Sequence, residues 1–191
     1  IVAARPGMGK SSMALASADA STAAGFGTHY FSLEDGDAAI ADRAMSRDSG
    51  VPATKIRACD LSRDEMSRLG KSMHTLHRRK NWLYDGRSGL TPDEIVRSVR
   101  RRRAENGTKL VIVDYAQKLR APRGARMNEY ETLNYAIETL ADAATQDGIA
   151  YLLLSQLNRD CEKRLDKRPV LSDMRGSGAI EQCGKIIVGL Y

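Results

Sequence analysis

Near the start of the chain, glycine, lysine and serine stand at a spacing that can hold phosphate: Ala4-Arg5-Pro6-Gly7-Met8-Gly9-Lys10-Ser11-Ser12, directly after the apolar Ile1-Val2-Ala3. Gly7 and Gly9 let the backbone turn its N–H groups inward toward phosphate oxygens. Lys10 is placed to reach the β- and γ-phosphates of a nucleotide, and the Ser11 hydroxyl to ligate Mg²⁺. The small-residue run Ser12-Met13-Ala14-Leu15-Ala16 opens a helix whose positive end faces the same phosphates. The usual form of such a loop has glycine where this chain has Ala4. A glycine-rich turn that only links strand to helix is the alternative, and Gly-Lys-Ser at a helix start argues against it.

A triphosphate site needs an acid for the metal, and Lys109-Leu110-Val111-Ile112-Val113-Asp114 offers one at the end of an apolar run. Such a run fits a strand buried on both faces, and an acid there can hold Mg²⁺ together with the loop hydroxyl. Asp114 alone is weak evidence, since aspartate also starts turns. Hydrolysis further requires a carboxylate to polarise the attacking water. Glu34, closing Phe31-Ser32-Leu33-Glu34, is the candidate, against the plain alternative of a solvent-facing turn acid beside Asp35-Gly36-Asp37. Gln156, closing Leu154-Ser155-Gln156, can hydrogen-bond the γ-phosphate or its water, or merely cap a loop.

The elements that would carry these groups alternate along the chain. Strands are expected at Thr28–Leu33, Asn81–Asp85, Lys109–Asp114, Ile149–Leu154 and Ile186–Leu190. Helices are expected after the phosphate loop, at Asp37–Arg47, at Arg63–Arg78, from Pro92 to about Glu105, and from about Asn128 to Asp147. Ser62 with Glu65 and Thr91 with Glu94 form capping boxes, the second with proline at the first helical position. Asn106-Gly107 and Gly148 stop helices. Alternation of this kind implies an α/β fold with a mainly parallel twisted sheet and helices on both faces. Ligands then gather at the carboxyl ends of the strands, and Lys10, Glu34, Asp114 and Gln156 all fall there.

The chain's 191 residues suffice for one such domain and not for two. No run of about 18 apolar residues is present to cross a membrane, and no membrane partner is expected. The chain opens without Met or a secretion-type segment. Cys59, Cys161 and Cys183 lie far apart with no Cys-x-x-Cys pair, which argues against zinc and disulfides and fits a reducing cytoplasm. Buried apolar roles are expected for all three. The stub before the phosphate loop and the core-type strand ending at Tyr191 lead us to expect part of a longer protein.

Net charge is +6, with 30 Lys and Arg against 24 Asp and Glu, and the pI is near 9.3. That balance suits a polyanion without proving one. Three basic segments follow strand ends. Arg120 to Arg126 carries Arg120, Arg123 and Arg126. Arg159 to Arg168 carries five cations offset by three acids. Arg175-Gly176-Ser177-Gly178 joins a cation to exposed backbone N–H groups. With aromatics scarce in all three, they suit a grip on a phosphate backbone without base readout. The Arg100–Arg103 run ends a helix, where solvated cations are expected.

Taken together these pieces resemble the motor domain of DnaB-type replicative helicases, a branch of the RecA-like ATPases with a phosphate loop. The similarity runs in order through the phosphate loop, Phe31–Glu34, Ser88–Pro92, Val113-Asp114-Tyr115 with Gln117, Leu154–Arg159, Asp166–Pro169 and Ser172–Gln182, over almost the whole chain. The Ala-Arg-Pro form of the loop is itself usual there. The resemblance implies that ATP and Mg²⁺ are bound by the loop, Ser11 and Asp114. It implies Lys10, Glu34 and Gln156 in catalysis, with Gln156 coupling the γ-phosphate to the DNA loops. Arg175, Gly176, Ser177 and Gly178 would grip single-stranded DNA, and Arg123 and Arg126 join them as cations on the same expected path. The family works as a homo-hexamer moving 5′→3′ on DNA, with primase and a loader as further partners, in the cytoplasm of a bacterium or encoded by a phage or plasmid. Its arginine finger, N-terminal domain and linker helix have no counterpart in these residues, so a weakly active single domain is expected. Asp35 stands where the family often has Met, and Gly176 where it often has Glu. A RecA-like recombination ATPase, or a non-catalytic nucleotide-binding regulator, is the alternative.

Overall fold

In a computed structural model of the protein, residues 1–79, 82–174 and 177–191 are described, Ser177 by its main chain alone. Six parallel strands form one sheet: β1 Val2–Ala4, β2 Gly27–Ser32, β3 Trp82–Asp85, β4 Thr108–Asp114, β5 Ala150–Gln156 and β6 Val188–Leu190, in the order β3-β2-β4-β5-β1-β6. The helices are α1 Lys10–Ala23, α2 Asp37–Ser49, α3 Ala53–Ala58, α4 Arg63–Arg78, α5 Pro92–Asn106, α6 Glu129–Asp147 and α7 Ser177–Cys183.

Side-chain alternation along the strands sorts the core into two layers. Val111, Val113, Leu153 and Phe31 pack with Ile95 and Val99 of α5, Leu140 of α6 and Ile180 of α7. Ile112, Leu154, Val2 and Tyr30 pack with Ala14, Leu15 and Ala18 of α1 and Ile40 of α2. Helices therefore cover both faces, the arrangement the alternation implies. Small residues on α1 let it lie close over the sheet, while α3 and α4 form an outer layer on α2.

Local signals set most boundaries. The Ser62/Glu65 and Thr91/Glu94 capping boxes form with both hydrogen bonds present, and Asn128 with Glu131 makes a third. Gly107 and Gly148 close α5 and α6 in the left-handed conformation. β5 runs two residues further than its apolar run, so Gln156 is the last strand residue and not the residue after it. Asn81, expected in β3, lies outside the described residues. The short α3 carried no apolar period and was not legible. Cys161 is buried, but Cys59 is exposed with φ 53°, and Cys183 is half-buried, so the expectation that all three are buried holds only for Cys161. Cys59 sits at the C-cap of α3, where the chain turns outward.

His29 is buried in β2, stacked on Phe31 at 4.1 Å between ring centroids, and burial pushes its pKa down to about 4. The unfolded chain takes up the proton near pH 6.5 while the folded state does not. Stability is therefore complete above that pH and falls as the pH drops toward 4, by about 3 kcal/mol. Urea melts between pH 7 and 4 are expected to show this slope, and His29→Asn to flatten it.

Candidate nucleotide site

Alternation along the strands aims Asp114 and Gln156 to the α1 side, because they share parity with Leu110, Ile112, Leu152 and Leu154. In the strand register Gln156 lies beside Ala4, where the phosphate loop begins. Gly7 and Gly9 both hold positive φ, 81° and 86°, and a Cβ on either would meet nothing within 4 Å, so the cradle is open. Gly9 caps α1 without any side-chain hydrogen bond, which leaves the first N–H groups of the helix facing the cradle. Lys10 is half-buried, and desolvation lowers its pKa while the charges of Asp114 and Glu34 act to raise it. Its Nζ stands 4.5 Å from the centre of the Tyr115 ring. Lys10 thus lies in the field of both Asp114 and Glu34, although two strands separate β1 from β2.

Asp114 is only 3 % exposed. One of its oxygens accepts a 2.7 Å hydrogen bond from the Tyr30 hydroxyl, whose pKa is driven well up by burial and by that carboxylate. Glu34 is exposed, on a bend pinned on several sides. Leu33 N–H donates to the Asp114 carbonyl, and Arg43 pairs with Asp35 at 2.6 Å. The Ser32 and Tyr84 hydroxyls both donate to the Asp35 carbonyl. Asp35, the departure noted above, is tied into this bend by its own ion pair.

Several positions behave differently from their reading in sequence. Ala4 is wholly buried in β1 and offers only its main chain, which accepts from Leu157 N–H. Arg5 spends its side chain on Glu162 and on the Leu157 carbonyl. Pro6, Met8 and Ser12 are exposed along the loop and the first turn of α1, beside the half-buried Ser11. Arg175 and Gly176 lie outside the described residues. Ser177 and Gly178 form the first turn of α7, where an open glycine-rich loop was expected. Gly178 faces the Tyr130 hydroxyl at the start of α6, and Arg123 and Arg126 are exposed in the segment that precedes α6. Arg123 acts electrostatically on Glu94, away from Lys10.

Two residues that matter here had no role in the sequence reading. Tyr30 stood only as one residue of the expected strand Thr28–Leu33. Gln117 grips β5: its Nε2 donates to Ser155 Oγ at 2.8 Å and to the Gln156 carbonyl at 3.3 Å, and its Oε1 accepts from Gln156 N–H at 3.2 Å. Its place one turn after Asp114, among the residues that carry the resemblance, was the signal that marked it without giving it a role.

A hard divalent cation favours oxygen ligands and commonly takes one or two protein oxygens plus substrate phosphates. The Asp114 carboxylate and the Ser11 hydroxyl suit that role. Among the described residues no group of three His, Cys, Asp or Glu could hold a metal unaided.

The comparisons with known proteins decide the family. The model of the DnaB-like helicase C terminal domain matches residues 1–191. The chain belongs to that family. It is 38 % identical over 196 residues to the replicative DNA helicase DnaB of Buchnera aphidicola (strain APS), covering all of this chain and 42 % of that protein. To DnaB of Pasteurella multocida it is 40 % identical over 196 residues, covering 41 % of that protein. The chain thus spans about two-fifths of the curated relatives it matches. Among solved structures, a DnaB-like replicative helicase described with its primase interactions aligns over the whole chain with a TM-score of 0.92 at 30 % identity, 46 % of that chain being covered. A second solved structure, described as an ATPase domain, aligns equally well, with 68 % of it covered. As a DnaB-like C-terminal domain, the chain is a RecA-like nucleotide-binding domain. Among the described residues no helix is long and apolar enough to cross a membrane.

Tyr30→Phe removes the hydrogen bond to a buried carboxylate, at a cost of about 1–3 kcal/mol. Urea denaturation of the variant is expected to show a loss in that range. An unchanged midpoint would mean that the bond does not form.

Proposed function

We propose that this domain is the ATP-driven motor of a replicative DNA helicase, within a longer protein that assembles as a hexameric ring around single-stranded DNA. The observation that carries the reading is the gathering of Lys10, Asp114 and the Glu34 bend, whose Leu33 N–H donates to the Asp114 carbonyl, at the carboxyl ends of the strands, with Gln156 in register beside the phosphate loop. Backbone N–H groups at Gly7 and Gly9 and the Lys10 ammonium hold the β- and γ-phosphates. Ser11 and Asp114 would hold Mg²⁺, which would supply neutralisation of the phosphate charge. Glu34, exposed and held on its pinned bend, accepts a proton from the attacking water. Gln156 hydrogen-bonds on the γ-phosphate side, its main chain held by Gln117.

DNA is gripped through its backbone by residues 175–178, with Arg123 and Arg126 as flanking cations. The nearness of Gly178 to Tyr130 at the start of α6 and the excess of basic residues support that use. A ring subunit needs a neighbour's arginine to complete its site, an interaction that contributes about 10³–10⁵ in rate. The 191-residue chain alone therefore binds ATP but turns it over slowly. Primase and a loader are the protein partners we propose for the ring, in the cytoplasm of a bacterium or of a cell carrying its phage or plasmid.

In the full-length protein, Glu34→Gln is expected to keep ATP affinity and lower turnover about 100-fold or more, the scale of losing a general base. Lys10→Ala is expected to lose nucleotide binding. Unwinding of a forked duplex with a 5′ tail separates a helicase from a filament-forming ATPase. Full turnover by Glu34→Gln would overturn the assignment of the base.

A further inference from the structure

An arginine within a phosphate loop invites assignment to phosphate, but Arg5 has other partners. Its Nε donates to Glu162 Oε1 at 2.6 Å, and its Nη1 donates to the Leu157 carbonyl at 3.0 Å. The Arg5 side chain is 19 % exposed, and its hydrogen bond and charge hold the Glu162 carboxyl below the usual carboxylate range. A half-exposed ion pair contributes only about 0–1 kcal/mol to stability, so the contact is better explained by what it joins than by its strength.

It joins two segments through one residue. Leu157 follows Gln156 directly and is buried. Its N–H donates to the Ala4 carbonyl and its own carbonyl accepts from Arg5, so the residue is held twice by the start of the phosphate loop. On its other side it bridges Met174 in antiparallel fashion, and Asn158 N–H donates to the Asp173 carbonyl. Asp173, 2 % exposed, is fixed by a two-pronged bond from Arg164, at 2.8 and 2.6 Å, and by Val170 N–H. Arg164 follows the short turn Arg159–Lys163 that carries Glu162. The phosphate loop, the β5 exit, that turn and the segment running into residue 175 are therefore closed into one ring of charge-assisted and main-chain bonds.

We propose that Arg5 is a positioning residue and not a phosphate ligand: through Leu157 and Glu162 it ties the phosphate loop to the segment entering residues 175–178, so that nucleotide and DNA sites move as one unit. This rests on the motor reading above. With two of its three nitrogens engaged away from the cradle, Arg5 transmits displacement of the 171–174 segment to Ala4 and the loop. Loss of Glu162 leaves the cradle intact and loosens the tie.

The test uses the full-length protein, with ATPase rates measured with and without oligo(dT) and affinity measured with a fluorescent ADP analogue. Glu162→Gln is expected to leave DNA-free turnover and the KM for ATP near their original values. Its stimulation by oligo(dT) is expected to fall about five-fold or more, the scale of a typical coupling energy. Arg5→Lys, which keeps the ion pair but loses the second donor, is expected to fall in between. Arg5→Met combined with Glu162→Gln should lose no more stimulation than Arg5→Met alone. Unchanged stimulation in Glu162→Gln, or equal loss with and without DNA, overturns the proposal. So does a loss of ADP-analogue affinity of about 30-fold or more in Arg5→Met, as removal of a charged phosphate contact would give. If the unsubstituted protein shows no DNA stimulation at all, the motor reading fails and the coupling with it. The affinity arm still decides, separately, whether Arg5 holds phosphate.

Discussion

A carboxylate buried at the end of a central strand sets the terms for the rest of the site. Burying a carboxylate to 3 % exposure is costly unless it has partners, and Asp114 has them. Tyr30 supplies one hydrogen bond from the neighbouring strand, and Lys10 supplies opposite charge from the first turn of α1. Every other element of the site is placed by the need to bring those groups to that carboxylate. β2 must lie beside β4 for the Tyr30 hydroxyl to reach, and α1 must lie close over both, which its alanines permit. The same adjacency carries Glu34 to the site, because the bend after β2 is bonded to the Asp114 carbonyl itself.

Lys10 answers the same constraint from the other side. Half-buried, it loses hydration, and the two acids and the Tyr115 ring offset part of that loss. Such a lysine gains most from an anion that enters with its own charge, and the open glycine cradle beside it gives the anion room. Electrostatics and loop conformation thus favour the same occupant independently.

Much of this was legible in sequence, and the boundary of what was not is physical. Gly7, Gly9, Lys10 and Ser11 are neighbours along the chain, so their spacing alone fixes the loop. The capping boxes at Ser62 and Thr91 are equally local, and both formed as expected. The apolar run up to Asp114 fixed a strand because burial on both faces leaves its mark on composition. Contacts between distant residues left no such mark. Tyr30 to Asp114 spans 84 positions and Gln117 to Gln156 spans 39, and neither partner's type announces the other. Arg5 is the clearest case: its neighbours in sequence assign it to phosphate, and only the fold reveals Glu162 and the Leu157 carbonyl. At residues 177–178 the glycine and serine content pointed to an open loop. The apolar contact of Ala179 and Ile180 with the sheet and α6 instead organises a short helix.

The scarcity of acidic ligands at this site has a consequence for the order of events on it. Asp114 already commits one oxygen to Tyr30, and the described residues offer no cluster of three metal-binding side chains. A divalent cation held by one carboxylate and one hydroxyl is weakly held, because it must keep most of its water or find oxygens elsewhere. Triphosphate oxygens are the natural source, so cation and nucleotide bind best together. By linkage, each then raises the affinity of the other. In the proposed reading, a site built this way stays unreactive until both have arrived. In the proposed motor, that condition keeps the Glu34 carboxylate facing solvent instead of a fixed water until the γ-phosphate is in place for attack.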